Sequence, residues 1–572
     1  MHAKFWAVGV CLISHLSIAG PVLQGPAIVF DYKLNSPSFA SLSWAGVNPT
    51  EIQRTISYAA NHWAAYGGAR RIWRFVGETT LTGGAVGEPY VIAALPGCYT
   101  LVFDPACTII AYNTSLPVGE IRVFGGTPVF PKRFALGDAL STADFDLFTL
   151  MMHEVGHSTL VGAGVDTGHI DSVATTDTCI MESGGGLFAP SFFGEPIRGF
   201  CQKELANIGR DQNSLAGNGY FQTNIREATS TTSNAAAWSA PSTSALPYGI
   251  GGAAIVHGID IFSGSEWRLS AVTSPLGFDQ AASVPVKLAP PGGGWVANIA
   301  PAAVMRPSIV WDPIRKAWWM FLRNQTVSNR IQVFKNNPGT PNWDNMGVLA
   351  HSSLRMQSQY PIGASFDPVT GNIVIVWNSS EGPNRIGSPC TSGDSTFGAN
   401  WLAHCQSEVV AAVLVPSGGF GTSIAVQAVQ RFNVRGLGSP SVICDLQLGN
   451  QCQFFTVNPG QFKEIRSLRF CVNGNGFCGQ DSTPNSERPN SPGETDFPIG
   501  LSNRRPDRTG SIVIAVTGTD RRVYWKSKAS VASGFPGWSG PLLTDLLVGG
   551  PSVHLSAVAS ATNQYTLTYP NQ

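Results

Sequence analysis

Strong charge is the first thing this chain lacks. Only 13% of its 572 residues are charged, and 36 basic side chains balance 36 acidic ones. That leaves no electrostatic footprint for a polyanion, so nucleic acid is not an expected partner. The eleven cysteines contain no CxxC spacing, which argues against a cysteine-based zinc cluster. The glycines at 184–186 are followed by neither Lys-Ser/Thr nor a dinucleotide fingerprint, which excludes the usual phosphate-cradling loops. Beyond the N-terminus no apolar run approaches the ~20 residues that span a bilayer, so no membrane span is expected. What is abundant is 63 Gly and 39 Pro beside 43% apolar residues, a composition of loop-rich β structure and not of disorder. The length exceeds what one hydrophobic core supports, and at least two domains follow.

The first residues carry one basic side chain, Lys4, then an apolar run from Phe5 to about Ile18, then Ser17-Ile18-Ala19. Small residues at the positions read by signal peptidase point to a signal peptide over 1–19 and a secreted mature chain. As a membrane anchor the run is too short, and Ser14 and His15 interrupt it. Ten cysteines remain after that cleavage and fall into sequence neighbours: Cys98 and Cys107, Cys179 and Cys201, Cys390 and Cys405, Cys444 and Cys452, Cys471 and Cys478. An even count in an exported chain reads as disulfides, and neighbour pairing would close short loops.

Alternation from Ala27 to Asn35 predicts a strand, and apolar spacing from Thr50 to Gly68 predicts a helix ended by two glycines. Short strands are expected at Ile72 to Val76, Tyr90 to Ala94, Thr100 to Phe103, Thr108 to Tyr112 and Glu120 to Phe124. Ser141-Thr142-Ala143-Asp144 resembles a helix cap, and Phe145, Phe148, Met152 and Val155 recur at helical spacing. A last helical piece is expected at Gln202 to Ile208, before the chain turns polar and rich in Ser, Thr, Asn and Ala. The organisation expected is a first folded domain over 20–212, a linker with the first strands over 213–244, and an all-β domain over 245–572.

Over that last stretch a unit recurs: Pro, a short apolar strand, a polar turn and a second apolar strand. Copies start at Arg306, Tyr360, Gly438, Phe497 and Gly550, with a fainter one at Leu246. The period suits a radial β-propeller of about six blades, while one or two β-sandwiches are the rival reading. Trp267, Trp343, Trp401 and Trp538 follow Gly, Pro, Asn or Ser, in what resembles a degenerate Asp-box turn of sialidase-like propellers. Trp238-Ser239-Ala240-Pro241 echoes Trp538-Ser539-Gly540-Pro541 but precedes the first unit, whereas the last unit has no such Trp. The C-terminal strands are therefore expected to complete a blade begun near Trp238. Trp318, Trp319 and Trp377 stand at strand positions and are expected in the core.

The sharpest local signal is His153-Glu154-Val155-Gly156-His157. Two histidines four apart on a helix face one way and can ligate one zinc, with Glu154 beside the metal-bound water as general base. A catalytic zinc needs a third protein ligand, and Asp166, His169, Asp171 and Asp177 are the next candidates, His169 foremost. The stretch HEVGHSTLVGAGVDTGHIDS resembles the extended motif of the metzincin metallopeptidases, in which a glycine turns the chain so that a third His returns to the metal. Gly162 or Gly164 could make that turn. The family's usual third His falls on Ala163 and its usual Gly on Leu160, so an insertion carrying the ligand to His169 is implied. Thr178-Cys179-Ile180-Met181 resembles the family's Met-turn, which implies that Met181 packs beneath the imidazoles. No Tyr follows to act as a further ligand.

The resemblance implies an α+β metzincin-like domain that hydrolyses peptide bonds with one catalytic Zn2+; a structural Ca2+ is possible but not indicated. The expected chain is multidomain: this domain, then an all-β, six-bladed propeller meeting a protein, glycan or cell surface. The alternative puts the activity in the propeller, as a sialidase-like glycosidase or glycan-binding adhesin. Arginines converging on the axis with an acid and a Tyr would mark the glycosidase.

Overall fold

The computed structural model describes six short strands between residues 28 and 146, and from residue 225 onward the strands given below with some of their connecting turns. Side chains are described mainly within 225–243, 307–379, 408–483, 512–528 and 565–567.

In the N-terminal part, β1 (Ile28–Asn35) pairs in parallel with β2 (Arg71–Thr79). β3 (Tyr90–Ala93) pairs antiparallel with β4 (Ile121–Phe124), and β1 lies beside β4. β5 (Phe134–Ala135) and β6 (Phe145–Asp146) form a short parallel pair. β1 to β4 fall at expected strands, β5 was not expected, and β6 brings a correction. Phe145, expected in the first turn of a helix, is in β6, because it finds a strand partner in Phe134. The expected strands at 100–103 and 108–112, the expected helices over 50–68 and 202–208, and the rest of the helix expected to carry Phe148, Met152 and Val155 lie outside the described residues.

From β7 (Ile225–Thr229) onward the described structure is all β. After β8 (Ser242–Thr243), the first full sheet comprises β9 (Ile250–Ile259), β10 (Glu266–Thr273), β11 (Val286–Ala289) and β12 (Val296–Asn298). The second comprises β13 (Ser308–Asp312), β14 (Ala317–Arg323), β15 (Ile331–Asn336) and β16 (Asp344–Val348). The third begins with β17 (Gly363–Phe366) and β18 (Ile373–Ser379). It then detours through a hairpin, β19 (Glu381–Gly382) and β20 (Arg385–Pro389), before β21 (Glu408–Ser417) and β22 (Ser423–Arg435). The fourth comprises β23 (Leu437–Asp445), β24 (Gln451–Val457), β25 (Ile465–Asn473) and β26 (Gly476–Gln480), with β27 (Asn485–Glu487) added on β25. The fifth comprises β28 (Gly500–Leu501), β29 (Ile512–Thr517) and β30 (Val523–Lys528). Finally β31 (His554–Ala557) and β32 (Tyr565–Pro570) join β7 and β8 in the order β31-β32-β7-β8.

The first strands of these six sheets neighbour one another in sequence order, β9 to β13, β17, β23, β28, β31 and back to β9. Six antiparallel meanders around a closed circle of inner strands make a six-bladed β-propeller, not the rival sandwich. Each recurring sequence unit is the first strand, turn and second strand of one blade. Closure works as the displaced Trp238 suggests: β32 pairs with β7, Tyr565 N and Ser230 N each donate at 2.8 Å across the junction, and Ser230 bridges Trp238.

The cores lie between blades. On β18, Ile373, Ile375 and Trp377 pack toward the second blade, while Val374 and Val376 pack toward the fourth. On β21, Val410, Ala412 and Leu414 alternate in the same way with Val409, Ala411 and Val413. A strand buried on both faces has no reason to alternate with polar residues, which accounts for runs such as IVIVW and VVAAVLV. Trp318, Trp319 and Trp377 are fully buried, as strand positions imply. In the fourth blade Cys444–Cys452 and Cys471–Cys478 are bonded, each joining neighbouring strands; the other expected pairs lie outside the described residues.

Candidate functional site

The sequence points first to the zinc motif. His153, Glu154, His157, His169 and Met181 all lie outside the described residues, so the structure leaves their arrangement open; β6, ending at Asp146, is the last described element before them. Among the described residues no cluster of His, Cys, Asp or Glu could hold a metal ion.

The ring has two distinct ends. Its inner strands enter at Pro307, Pro361 and Pro440, and neighbouring entries are stitched together. Ser308 Oγ donates to Ile362 O, Ser439 Oγ to Pro361 O at 3.0 Å, and Asn378 Nδ2 to Gly438 O at 2.5 Å. The approach is close enough to require a small residue: a Cβ on Gly363 would stand 2.6 Å from Pro440 O and 3.1 Å from Ser441 Cα. The six inner strands carry no Arg, Lys or Glu. The convergence of arginines expected of a glycosidase is thus not found on the strands around the axis.

At the same end, away from the axis, lies a group that sequence reading missed. Glu408 opens β21, opposite Ser379 on β18 and Arg435 on β22. A bulge in β22 between Arg431 and Arg435 lets Arg431 Nη1 reach Glu408 Oε2 at 2.6 Å. Burial raises the Glu408 carboxyl to about pH 7, and the charge and hydrogen bond of Arg431 only partly oppose this. The only sequence signal was one acid ahead of an apolar run, which has no motif value.

At the exit end, where inner strands finish, two Asp-Pro turns are built alike. Asp312 Oδ1 accepts from the N–H groups of Ile314 and Arg315, both at 3.0 Å. Asp367 Oδ1 accepts from Val369 N at 3.1 Å, and Asp367 Oδ2 accepts from the Thr370 hydroxyl. Arg315 links the two turns, donating to Asp312 Oδ2 at 3.0 Å and to Gly371 O at 2.7 Å. Such turns use Asp because its short carboxylate satisfies the backbone two and three residues on.

No family model matches the chain, and no curated protein matches it. Among solved structures it is similar to AofleA from Arthrobotrys oligospora, 12% identical over 56% of this chain and 79% of that one, TM-score 0.35. It is also similar to the fungal lectin of Aleuria aurantia, described as a six-bladed β-propeller with a fucose recognition mode: 11% identical, 54% and 85% covered, TM-score 0.34. A third is the α-L-arabinanase of Penicillium chrysogenum, 10% identical, 56% and 93% covered, TM-score 0.34. The propeller assignment rests on the strand pairings and the closed inner circle, not on these likenesses.

Proposed function

We propose that this chain is a secreted zinc-dependent endopeptidase whose propeller holds it on a protein or glycan surface. The observation that carries the peptidase half is the sequence His153-Glu154-Val155-Gly156-His157, with His169 within returning distance. Three imidazoles are a donor set suited to one zinc ion. When bound, that ion supplies Lewis acidity and makes a coordinated water easier to deprotonate. Glu154 takes a proton from the attacking water and returns it to the leaving amine, and Met181 packs under the imidazoles. Zinc content and casein or peptide hydrolysis by the purified chain test this reading. A metal-free chain, or one holding zinc without hydrolysing either substrate, would count against it.

A second reading makes the propeller the active unit, as a glycan-binding adhesin or a glycosidase. The lectins and the arabinanase named above stand nearer to this reading than to peptide hydrolysis, although TM-scores of 0.34–0.35 carry no weight by themselves. Within it, inner strands free of Arg, Lys and Glu favour binding over glycoside cleavage. Binding of the full chain to immobilised fucosylated and arabinan glycans in the presence of a zinc chelator separates this activity from the peptidase.

A further inference from the structure

Among the described residues three large apolar side chains are exposed: Ile314 at 61%, Val369 at 40% and Phe420 at 55%. All three lie at one end of the ring. Ile314 and Val369 are on the first-to-second-strand turns of the second and third blades, and Phe420 is on the third-to-fourth-strand turn of the third blade. In an antiparallel meander those turns share an end, here the exit end. Ile314 lies against the neighbouring turn, where its Cδ1 would be 2.7 Å from a Cβ on Gly371. Phe420 leans over the second blade: its carbonyl accepts from Lys335 Nζ of β15 at 3.1 Å, and Gly421 packs against the Trp319 ring.

Phe420 is also held in a conformation that non-glycine residues avoid, φ 58°, in the turn Gly418-Gly419-Phe420-Gly421. A strained aromatic displayed to water and anchored from the next blade is costly unless it is used. The charges on these turns cancel: Arg315, Lys316 and Lys335 are matched by Asp312, Asp344 and Asp367. Arg315 is paired with Asp312 and Lys335 with Asp344. The described turns of these two blades therefore offer no net charge to a polyanion or to a strongly charged protein. The exposed apolar area is on the order of 300 Å², well short of the ~800 Å² per partner that a stable dimer needs. Side chains on separate hairpin tips suit a deformable partner that requires no matching surface.

We propose that the exit end of the propeller docks on neutral lipid surfaces, with Ile314, Val369 and Phe420 entering the headgroup–acyl boundary. The contact is shallow and reversible, governed by apolar partition and not by anionic lipid. The chain ahead of the ring joins at the opposite end, since β7 runs from entry to exit and Ile225 begins it.

Flotation of the full chain with phosphatidylcholine vesicles tests the proposal. The expected result is co-flotation that is insensitive to salt and not increased by added phosphatidylserine. It should fall at least tenfold in Ile314→Ser/Phe420→Ser and be largely kept in Phe420→Leu. Ile314→Ser alone, at an exposed turn position, should lower it several-fold with no change in thermal midpoint. Phe420→Trp should shift its emission to the blue on adding vesicles. Wild-type protein that fails to float, floats only with anionic vesicles, or floats equally well as the double serine variant overturns the proposal. So does self-association in sedimentation velocity that the serine variants abolish, which would assign the face to a second copy.

Discussion

The segment ahead of the ring and the ring itself distribute their essential interactions in opposite ways. The proposed zinc centre would rest on four side chains, so one substitution should remove its chemistry and leave the rest of the chain standing. The propeller rests on six sheets whose cores are shared between neighbours, so no side chain is decisive but every blade depends on the two beside it. Concentrated function and distributed stability should therefore fail differently. The largest effect belongs to the first: Glu154→Gln should keep zinc and lower peptide hydrolysis about 10²- to 10⁴-fold, as expected for losing a general base. Metal analysis beside a fluorogenic peptide assay reads both quantities, and near wild-type turnover would remove Glu154 from the proposed role.

The ring's one concentrated dependence is its closure. The last blade combines the two ends of the β region, and its core joins Tyr565 and Leu567 of β32 to Ala228 and Ala235, then to Val513, Ala515 and Val523 of the fifth blade. Trp525 Nε1 donates to Ala235 O at 2.9 Å across the same junction. Deleting residues 554–572 removes the inner strand β31 and, among the described residues, the buried Tyr565, Thr566 and Leu567, and frees an edge of β7, a loss of at least roughly 4 kcal/mol. Denaturant unfolding of the truncated chain should show it, and cleavage of a small peptide should survive. A harmless truncation would mean that the ring does not depend on this closure.

Within an intact blade the expected effect is smaller and depends on position. Gly363→Val places a side chain against the backbone of the next inner strand and should cost about 3 kcal/mol. Gly419→Ala meets nothing within 4 Å and should change stability by less than about 0.5 kcal/mol. Equal losses at the two sites, read from denaturation midpoints, would show that close approach of inner strands is not what Gly363 serves.

How much of this was legible in the sequence follows from where the constraints lie. The first two strands of each blade are readable because burial on both faces forces apolar runs, and the turn between them needs Pro, Asp or Gly, as in Trp311-Asp312-Pro313 and Phe366-Asp367-Pro368. The closing blade is readable because Trp238 stands ahead of the first unit and the last unit lacks such a Trp. The Asp-box comparison is weaker: Trp267 lies in β10, a second strand, whereas Trp343 immediately precedes β16, a fourth strand, so the two are not equivalent. Phe145 was misread because helical spacing of apolar residues says nothing about a strand partner eleven residues earlier. Glu408 and Phe420 were invisible because each acquires its character from the neighbouring strand or blade, through Arg431 and Lys335.

The last comparison concerns Glu408 and is read in pH. Its carboxyl is raised from 4.5 to about 7, chiefly by burial, with Arg431 pulling the other way. Between those two values the folded chain holds a proton that the unfolded chain has released. Glu408 therefore stabilises the fold most below about pH 4.5, and that contribution is lost as pH rises through about 7. The change amounts to at most roughly 3 kcal/mol. Other groups titrate over the same range, so the informative quantity is the difference between wild type and Glu408→Gln in denaturant unfolding at pH 5 and pH 8. The amide keeps a hydrogen-bond acceptor for Arg431 but cannot ionise. Relative to wild type the variant should therefore gain stability on going from pH 5 to pH 8. A gain would show that the buried ion pair costs stability at neutral pH, as expected where desolvation outweighs attraction. A relative loss at pH 8 would reverse the sign and make the Glu408–Arg431 pair a net stabiliser of the third blade.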